Sequence, residues 1–283
     1  MSIHLVAVDY ESPTARQDFV LSMRETGFGV LKNHPLDQER VNSIYANWQA
    51  WFLSEGKMAF KFDGENQDGL YTTEISETAK GQSVKDIKEF FHYYPWGKCP
   101  PELKEEIHSY RKEANALAAE LLEWIEGETP AEIKAKFSMP LPDMIRDSDK
   151  TLLRILHYPP LQGNEEPNAI RAAAHEDINL ITVLPAANEP GLQVLGKDGN
   201  WIDVPADFGN LIINNGDMLQ EASGGYFPST THRVINPQGA DTSKSRISLP
   251  LFCGPRPEVV LSERHTADSY LTERLRELGH IRA

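Results

Sequence analysis

Near Asp147 the spacing of apolar residues changes from three-to-four to two. Beyond that point, residues 152–158, 178–184, 192–195, 201–204, 211–214, 233–235 and 246–252 form short runs rich in β-branched and aromatic side chains, separated by Pro, Gly, Asn and Asp. Alternation of this kind puts every second side chain on one face of a strand. Many short strands punctuated by turns pack as a sandwich or barrel. With 40% hydrophobic and 25% charged residues the chain can bury a sizeable core without disulfide staples.

Before Asp147 the pattern is mostly helical. Residues 14–26 carry apolar side chains at helical spacing and stop at Gly27, a common helix breaker. Residues 28–31 read as a short strand ended by Asn33-His34-Pro35. Asp37 can cap a second helix with Val41, Ile44, Trp48 and Phe52 on one face. Residues 64–83 are polar and loop-like, 105–124 form the longest helical pattern, and 267–278 predict a final helix packed on the outside. The expected division is a mostly helical region over 1–146, a β core over 147–256 and a helical extension over 257–283.

The net charge of −14 repels phosphate backbones and anionic lipid, which disfavours nucleic-acid and membrane partners. The two cysteines, Cys99 and Cys253, have no CxxC spacing, so a secreted disulfide framework is not expected. Met1 to Tyr10 lacks a basic stretch leading into an apolar one, and no run approaches the roughly 18 apolar residues of a membrane span. The expectation is a cytoplasmic protein, monomeric or weakly homo-oligomeric, acting on a small molecule.

The chemistry begins at His175-Glu176-Asp177. On a strand, positions i and i+2 share a face, so His175 and Asp177 can meet one metal ion while Glu176 points away. Alone, the triplet is explained as well by a solvated turn, since the chain has 9 histidines. A zinc-protease His-Glu-x-x-His is excluded, because Asn179 stands where the second histidine belongs. His232 follows 55 residues after Asp177 at the start of a strand-like run, and Arg246 and Ser248 make a further i, i+2 pair. Two imidazoles and one carboxylate are the facial set of non-haem Fe(II), with three positions open. Two of these can take a 2-oxo acid and one can take O2. Arginine suits a distant carboxylate because its planar fork donates paired, charge-assisted hydrogen bonds.

The order of these segments resembles the 2-oxoglutarate/Fe(II)-dependent oxygenases of the isopenicillin N synthase-like family, over nearly the whole chain. Residues 175–184 are similar to its His-x-Asp strand, and Gly191-Leu192-Gln193-Val194 with Trp201-Ile202-Asp203-Val204-Pro205 to its next hairpin. Asn214-Asn215-Gly216-Asp217 is similar to its Asn-x-Gly-Asp turn, residues 229–237 to its distal-histidine strand, and Arg246-Ile247-Ser248 to its Arg-x-Ser. Upstream, Thr26-Gly27-Phe28-Gly29 with Asn33-His34 resembles its N-terminal region. The resemblance implies a mainly β fold with flanking α: a double-stranded β-helix, or jelly roll, wrapped by N-terminal helices and a C-terminal helix. It implies His175, Asp177 and His232 as metal ligands essential to catalysis, and Arg246 and Ser248 as 2-oxoglutarate contacts. Tyr158 matches a family tyrosine of the same pocket, although a core tyrosine beside a Pro turn explains it nearly as well. The implied activity is a dioxygenase, an oxidoreductase using Fe(II), 2-oxoglutarate and O2 to oxidise a substrate C–H bond with release of succinate and CO2. An iron oxidase of this fold that does not use 2-oxoglutarate, and a non-catalytic metal-binding relative, are the alternatives.

Other residues have plainer explanations. His157 reads as a structural histidine, and His34 and His92 as structural or exposed ones. Asp217 reads as part of a turn in which Asn, Gly and Asp supply unusual backbone angles. Phe90, Phe91, Tyr93, Tyr94 and Trp96 pack the N-terminal region or wall the substrate entrance. The loop 68–83 is a candidate lid, and Phe252 and Tyr270 are candidate walls. Substrate identity and the choice between hydroxylation, desaturation and ring closure are not legible.

Overall fold

The computed structural model describes residues 5–74, 86–163, 165, 169–187, 189–205, 207, 209–236 and 242–277. The first part of the chain runs β1 (Ala7–Asp9), α1 (Ala15–Thr26), β2 (Phe28–Lys32), α2 (Gln38–Phe52), β3 (Gly69–Tyr71), β4 (Glu89–Tyr93), α3 (Pro101–Gly127), α4 (Ala131–Lys134) and α5 (Leu141–Ile145). There follow β5 (Leu152–Tyr158), β6 (Ala172–His175), β7 (Ile181–Pro185), β8 (Leu192–Leu195), β9 (Trp201–Asp203), β10 (Leu211–Asn215), α6 (Asp217–Ser223), β11 (His232–Val234), β12 (Arg246–Ser248), β13 (Leu251–Cys253) and α7 (Ala267–Glu277).

Local chemistry sets the helix ends. The Asp37 carboxylate accepts from the Glu39 amide at 2.9 Å and so caps α2. Pro101 opens α3, where a missing N–H costs nothing. Gly27 ends α1 with φ 75°, its N–H on the Met23 carbonyl.

The strands form two sheets. The larger has the order β1-β2-β10-β7-β13-β5-β4-β3 with β12 also on β5, and the smaller has the order β6-β11-β8-β9. Pairing is antiparallel except between β1 and β2. Alternation along the strands of the larger sheet builds two cores. Leu31, Phe91, Tyr93, Leu211 and Ile213 face the helical layer of Phe19, Trp48, Leu121 and their neighbours. Phe28, Val30, Phe90 and Ile212 face the smaller sheet, with Tyr158, Leu192, Val194 and Val234. A side chain buried from water in this way contributes roughly 1.5–3 kcal/mol.

The region before Asp147 is more than a helical wrap. β2 pairs with β10, and β4 with β5, so both belong to the larger sheet. The run 246–252 is two strands, because Leu249 and Pro250 break it between β12 and β13. Most of the candidate lid 68–83 falls in 75–85, outside the described residues.

Candidate active site

β11 brings the two histidines together, since His232 lies directly opposite His175 on β6. Val234 is opposite Ala172, so two steps along β11 match three along β6. That extra residue is a β-bulge, and it sets His175 beside His232 with its side chain still 40% exposed. The two imidazole centroids are 4.4 Å apart.

Each ring is oriented by a main-chain carbonyl. His175 Nδ1 lies 2.7 Å from the Ala173 oxygen, and His232 Nδ1 lies 3.1 Å from that of Thr230. A carbonyl only accepts, so Nδ1 carries the proton and Nε2 is left as a lone-pair donor. Both Nε2 atoms point at Asp177 Oδ1, at 3.9 Å from His175 and 3.8 Å from His232. The three donor atoms lie within 4.8 Å of one another, a cluster that could hold one metal ion. The donor chemistry, two neutral imidazoles and a carboxylate, fits ferrous iron.

Asp177 stands beyond the end of β6, so it does not share a strand face with His175 as the i, i+2 spacing predicts. Its position is fixed by hydrogen bonds. Oδ2 accepts from Thr182 Oγ1 at 2.5 Å and from Asn214 Nδ2 at 2.8 Å, while its main-chain oxygen accepts from the Asp217 amide at 2.8 Å. Burial would raise the carboxyl pKa, but the facing imidazoles with Asn214 and Thr182 hold it below its ordinary value. Desolvation first and His232 second lower the His175 imidazole to about 4, which keeps its lone pair available at neutral pH. Glu176 points away, accepting from Thr231 Oγ1.

The Asn-Asn-Gly-Asp segment serves this carboxylate by a different means from the expected one. Asn214 and Asn215 end β10, and Gly216 has an ordinary extended φ of −105°. The glycine is required by proximity: a Cβ there would sit 2.2 Å from the Asn179 carbonyl oxygen. Asp217 then starts α6, its carboxyl raised to about 6 chiefly by burial.

Arg246, Ser248 and Tyr158 are brought together on the inner face of the larger sheet. Arg246 pairs directly with Tyr158 and Ser248 with Leu156, and residues opposite one another share a face. Arg246 and Ser248 are both buried. The Arg246 guanidinium lies 5.1 Å from the Tyr158 ring centroid and donates through Nε to the Glu189 carbonyl. Its Nη1 is buried without a partner among the described residues, as expected of a group awaiting an anion. His232 packs its ring edge-on to Phe28 in the same inter-sheet space.

A cavity of about 520 Å³ opens beside the candidate metal donors, its lining including His175, Asp177, Arg154, Tyr94 and Phe252. α7 contributes Leu271, Arg274 and Leu275 to the lining. Phe252 is therefore a wall residue. Tyr270 is not; it packs into the helical core one position away from Leu271. Of the aromatic stretch, Tyr94 reaches the cavity while Phe91 and Tyr93 are core. His157 is a buried structural histidine, held by Glu89 and Ser245 and stacked on Phe52. His34 and His92 bond main-chain carbonyls of Gly209 and Gln67. Sequence reasoning missed Thr182 and Asn214 as supports of Asp177; their only signal was membership of the matched motifs. It also missed the buried Lys88–Asp86 pair on the cavity wall, which nothing in the local pattern marks.

Residues 150–255 match the model of the 2OG-Fe(II) oxygenase superfamily. A crystal structure from Shewanella oneidensis, described as that of an oxygenase, is 64% identical with a TM-score of 0.90, over 99% of this chain and 100% of that one. A 2OG-Fe(II) oxygenase family protein from Caulobacter crescentus is 27% identical with a TM-score of 0.79, over 98% of this chain and 100% of that one. Gibberellin 2-beta-dioxygenase 2 of Arabidopsis thaliana is 37% identical over 157 residues, which is 55% of this chain and 44% of the plant protein. The chain thus spans about half the length of such plant relatives.

Proposed function

The chain belongs to the 2OG-Fe(II) oxygenase superfamily, and from that premise we propose that it is a 2-oxoglutarate-dependent dioxygenase. It oxidises a C–H bond of a small molecule and releases succinate and CO2. His175, Asp177 and His232 hold Fe(II), Arg246 and Ser248 receive the far carboxylate of 2-oxoglutarate, and Tyr158 flanks that carboxylate. When bound, Fe(II) with O2 and the 2-oxo acid supplies the oxidising power. The chain's own work is to hold the three donors, orient the cosubstrate and shelter the reacting carbon from water.

One observation carries this: both imidazoles, tied through Nδ1 to carbonyls, offer Nε2 to the same Asp177 oxygen, and His175 and Asp177 line a cavity. The buried Nη1 of Arg246 favours a cosubstrate anion over an oxidase that takes every electron from its substrate. Within the same proposal, residues 147–256 are the catalytic core, packed by 1–146 and extended by 257–283. The protein works in the cytoplasm as a monomer or weak homo-oligomer, without nucleic acid. The two free cysteines fit a reducing compartment.

Anaerobic titration of the Fe(II)-loaded protein with 2-oxoglutarate tests the assignment. A saturable visible charge-transfer band is expected, absent in His175→Ala and Asp177→Ala. Iron binding without a band would withdraw the roles given to Arg246 and Ser248.

A further inference from the structure

Among the described residues, Arg171 is a fully buried charged side chain. It has no solvent exposure, and among the fully buried side chains only Trp48 is larger. Charged residues are almost never buried in this way unless paired. Nη2 donates to the Lys244 carbonyl at 3.0 Å, but Nε and Nη1 have no partner among the described residues. The Glu189 carboxylate favours the Arg171 cation only as a lesser influence than burial and Arg246, and it lies 3.5 Å from Lys244 Nζ.

Its position gives this meaning. The Arg171 guanidinium lies 5.9 Å from the Tyr158 ring centroid, and that of Arg246 lies 5.1 Å from the same centroid. Burial first, and the charge of Arg246 second, work against the Arg171 cation. Two buried like charges around one tyrosine, with three nitrogens lacking acceptors (Arg171 Nε and Nη1, Arg246 Nη1), make an arrangement an anion would complete. A carboxylate offers about four lone-pair sites, enough for all three donors.

We propose, on the cosubstrate assignment made above, that Arg171 is a second cationic contact for the distal carboxylate of the 2-oxo acid, beside Arg246. The pocket would then select dicarboxylic 2-oxo acids over monocarboxylic ones through two guanidinium groups. Arg171 is fixed for this by its place on the chain, immediately before β6 and four residues ahead of His175.

The test compares two ligands in the anaerobic Fe(II) protein: 2-oxoglutarate, and 2-oxopentanoate, which has a methyl group in place of the distal carboxylate. Dissociation constants are read from the charge-transfer band in wild type and in Arg171→Met. Loss of charge-assisted hydrogen bonds should weaken 2-oxoglutarate by about 10- to 100-fold and leave 2-oxopentanoate within about twofold. Equal weakening of both ligands would make Arg171 a structural residue and overturn the proposal, as would no weakening of either. Should Arg171→Met fail to fold, Arg171→Lys carries the same comparison, since an ammonium cannot reproduce the fork. Failure of wild type to bind 2-oxoglutarate would instead overturn the underlying cosubstrate assignment, which separates the two failures.

Discussion

Replacing Thr182 by Val removes the shortest hydrogen bond to the Asp177 carboxylate while keeping the shape of the side chain. Thr182 Oγ1 lies 2.5 Å from Asp177 Oδ2, with both residues buried. A hydrogen bond to a charged group contributes about 1.5–3 kcal/mol. At about 1.4 kcal/mol per tenfold, that is roughly 10- to 100-fold in metal affinity, the range usual for supports of metal-binding side chains. Asn214 still holds the same oxygen at 2.8 Å, so the carboxylate is loosened and not released. Thr182 Oγ1 also accepts from Asn179 Nδ2, and the variant strands that buried donor. Metal-free stability should therefore fall by about 1–3 kcal/mol as well. Anaerobic Co(II) titration gives the metal constant and urea unfolding of the metal-free protein gives the stability. Thr182→Ser should restore both. A metal constant within twofold of wild type, with stability reduced, would show that Thr182 supports the fold and not the site.

Three further outcomes are expected. Gly216→Ala places a Cβ 2.2 Å from the Asn179 carbonyl oxygen, so it should cost about 3 kcal/mol in urea unfolding and shift Asp177 with it; a loss below about 1 kcal/mol would contradict the close-approach explanation. Asp217→Asn should stabilise the metal-free protein. The carboxyl, raised to about 6 from 3.8, binds its proton more tightly folded than unfolded, so wild-type stability falls as pH rises through that window. The gain from Asn should be complete above about pH 6 and absent below about pH 4, with a size of about 1–2 kcal/mol after solvent screening; thermal melts across pH that show a constant difference would refute it. Trp48→Ala should cost about 3 kcal/mol, the low end for a large aromatic, because the indole N–H it removes is itself buried without a partner among the described residues; a cost above about 5 kcal/mol would mean that N–H is satisfied in solution.

Much of the site was legible along the chain. Each metal-binding candidate sits in a short motif, and the chemistry of His, Asp and Arg restricts what such motifs can do. The strands after Asp147 were legible because half-buried strands alternate. β2 was legible as a strand, but nothing in residues 28–31 tells that it would pair with β10, more than 180 residues later. Pairing depends on register between distant segments, which no local pattern carries.

The sequence by itself determined the residue types that can bind iron and an anion, the period-two core and the caps of α1 and α2, because these follow from side-chain chemistry and local backbone geometry. The tertiary structure decided how the donors meet. A bulge between β6 and β11 sets His175 beside His232, Gly216 admits the Asn179 backbone, and Arg171 joins Arg246 around Tyr158. Those are contacts between segments brought together only when the two sheets close over a shared interior, where burial and proximity, not sequence spacing, set the energies.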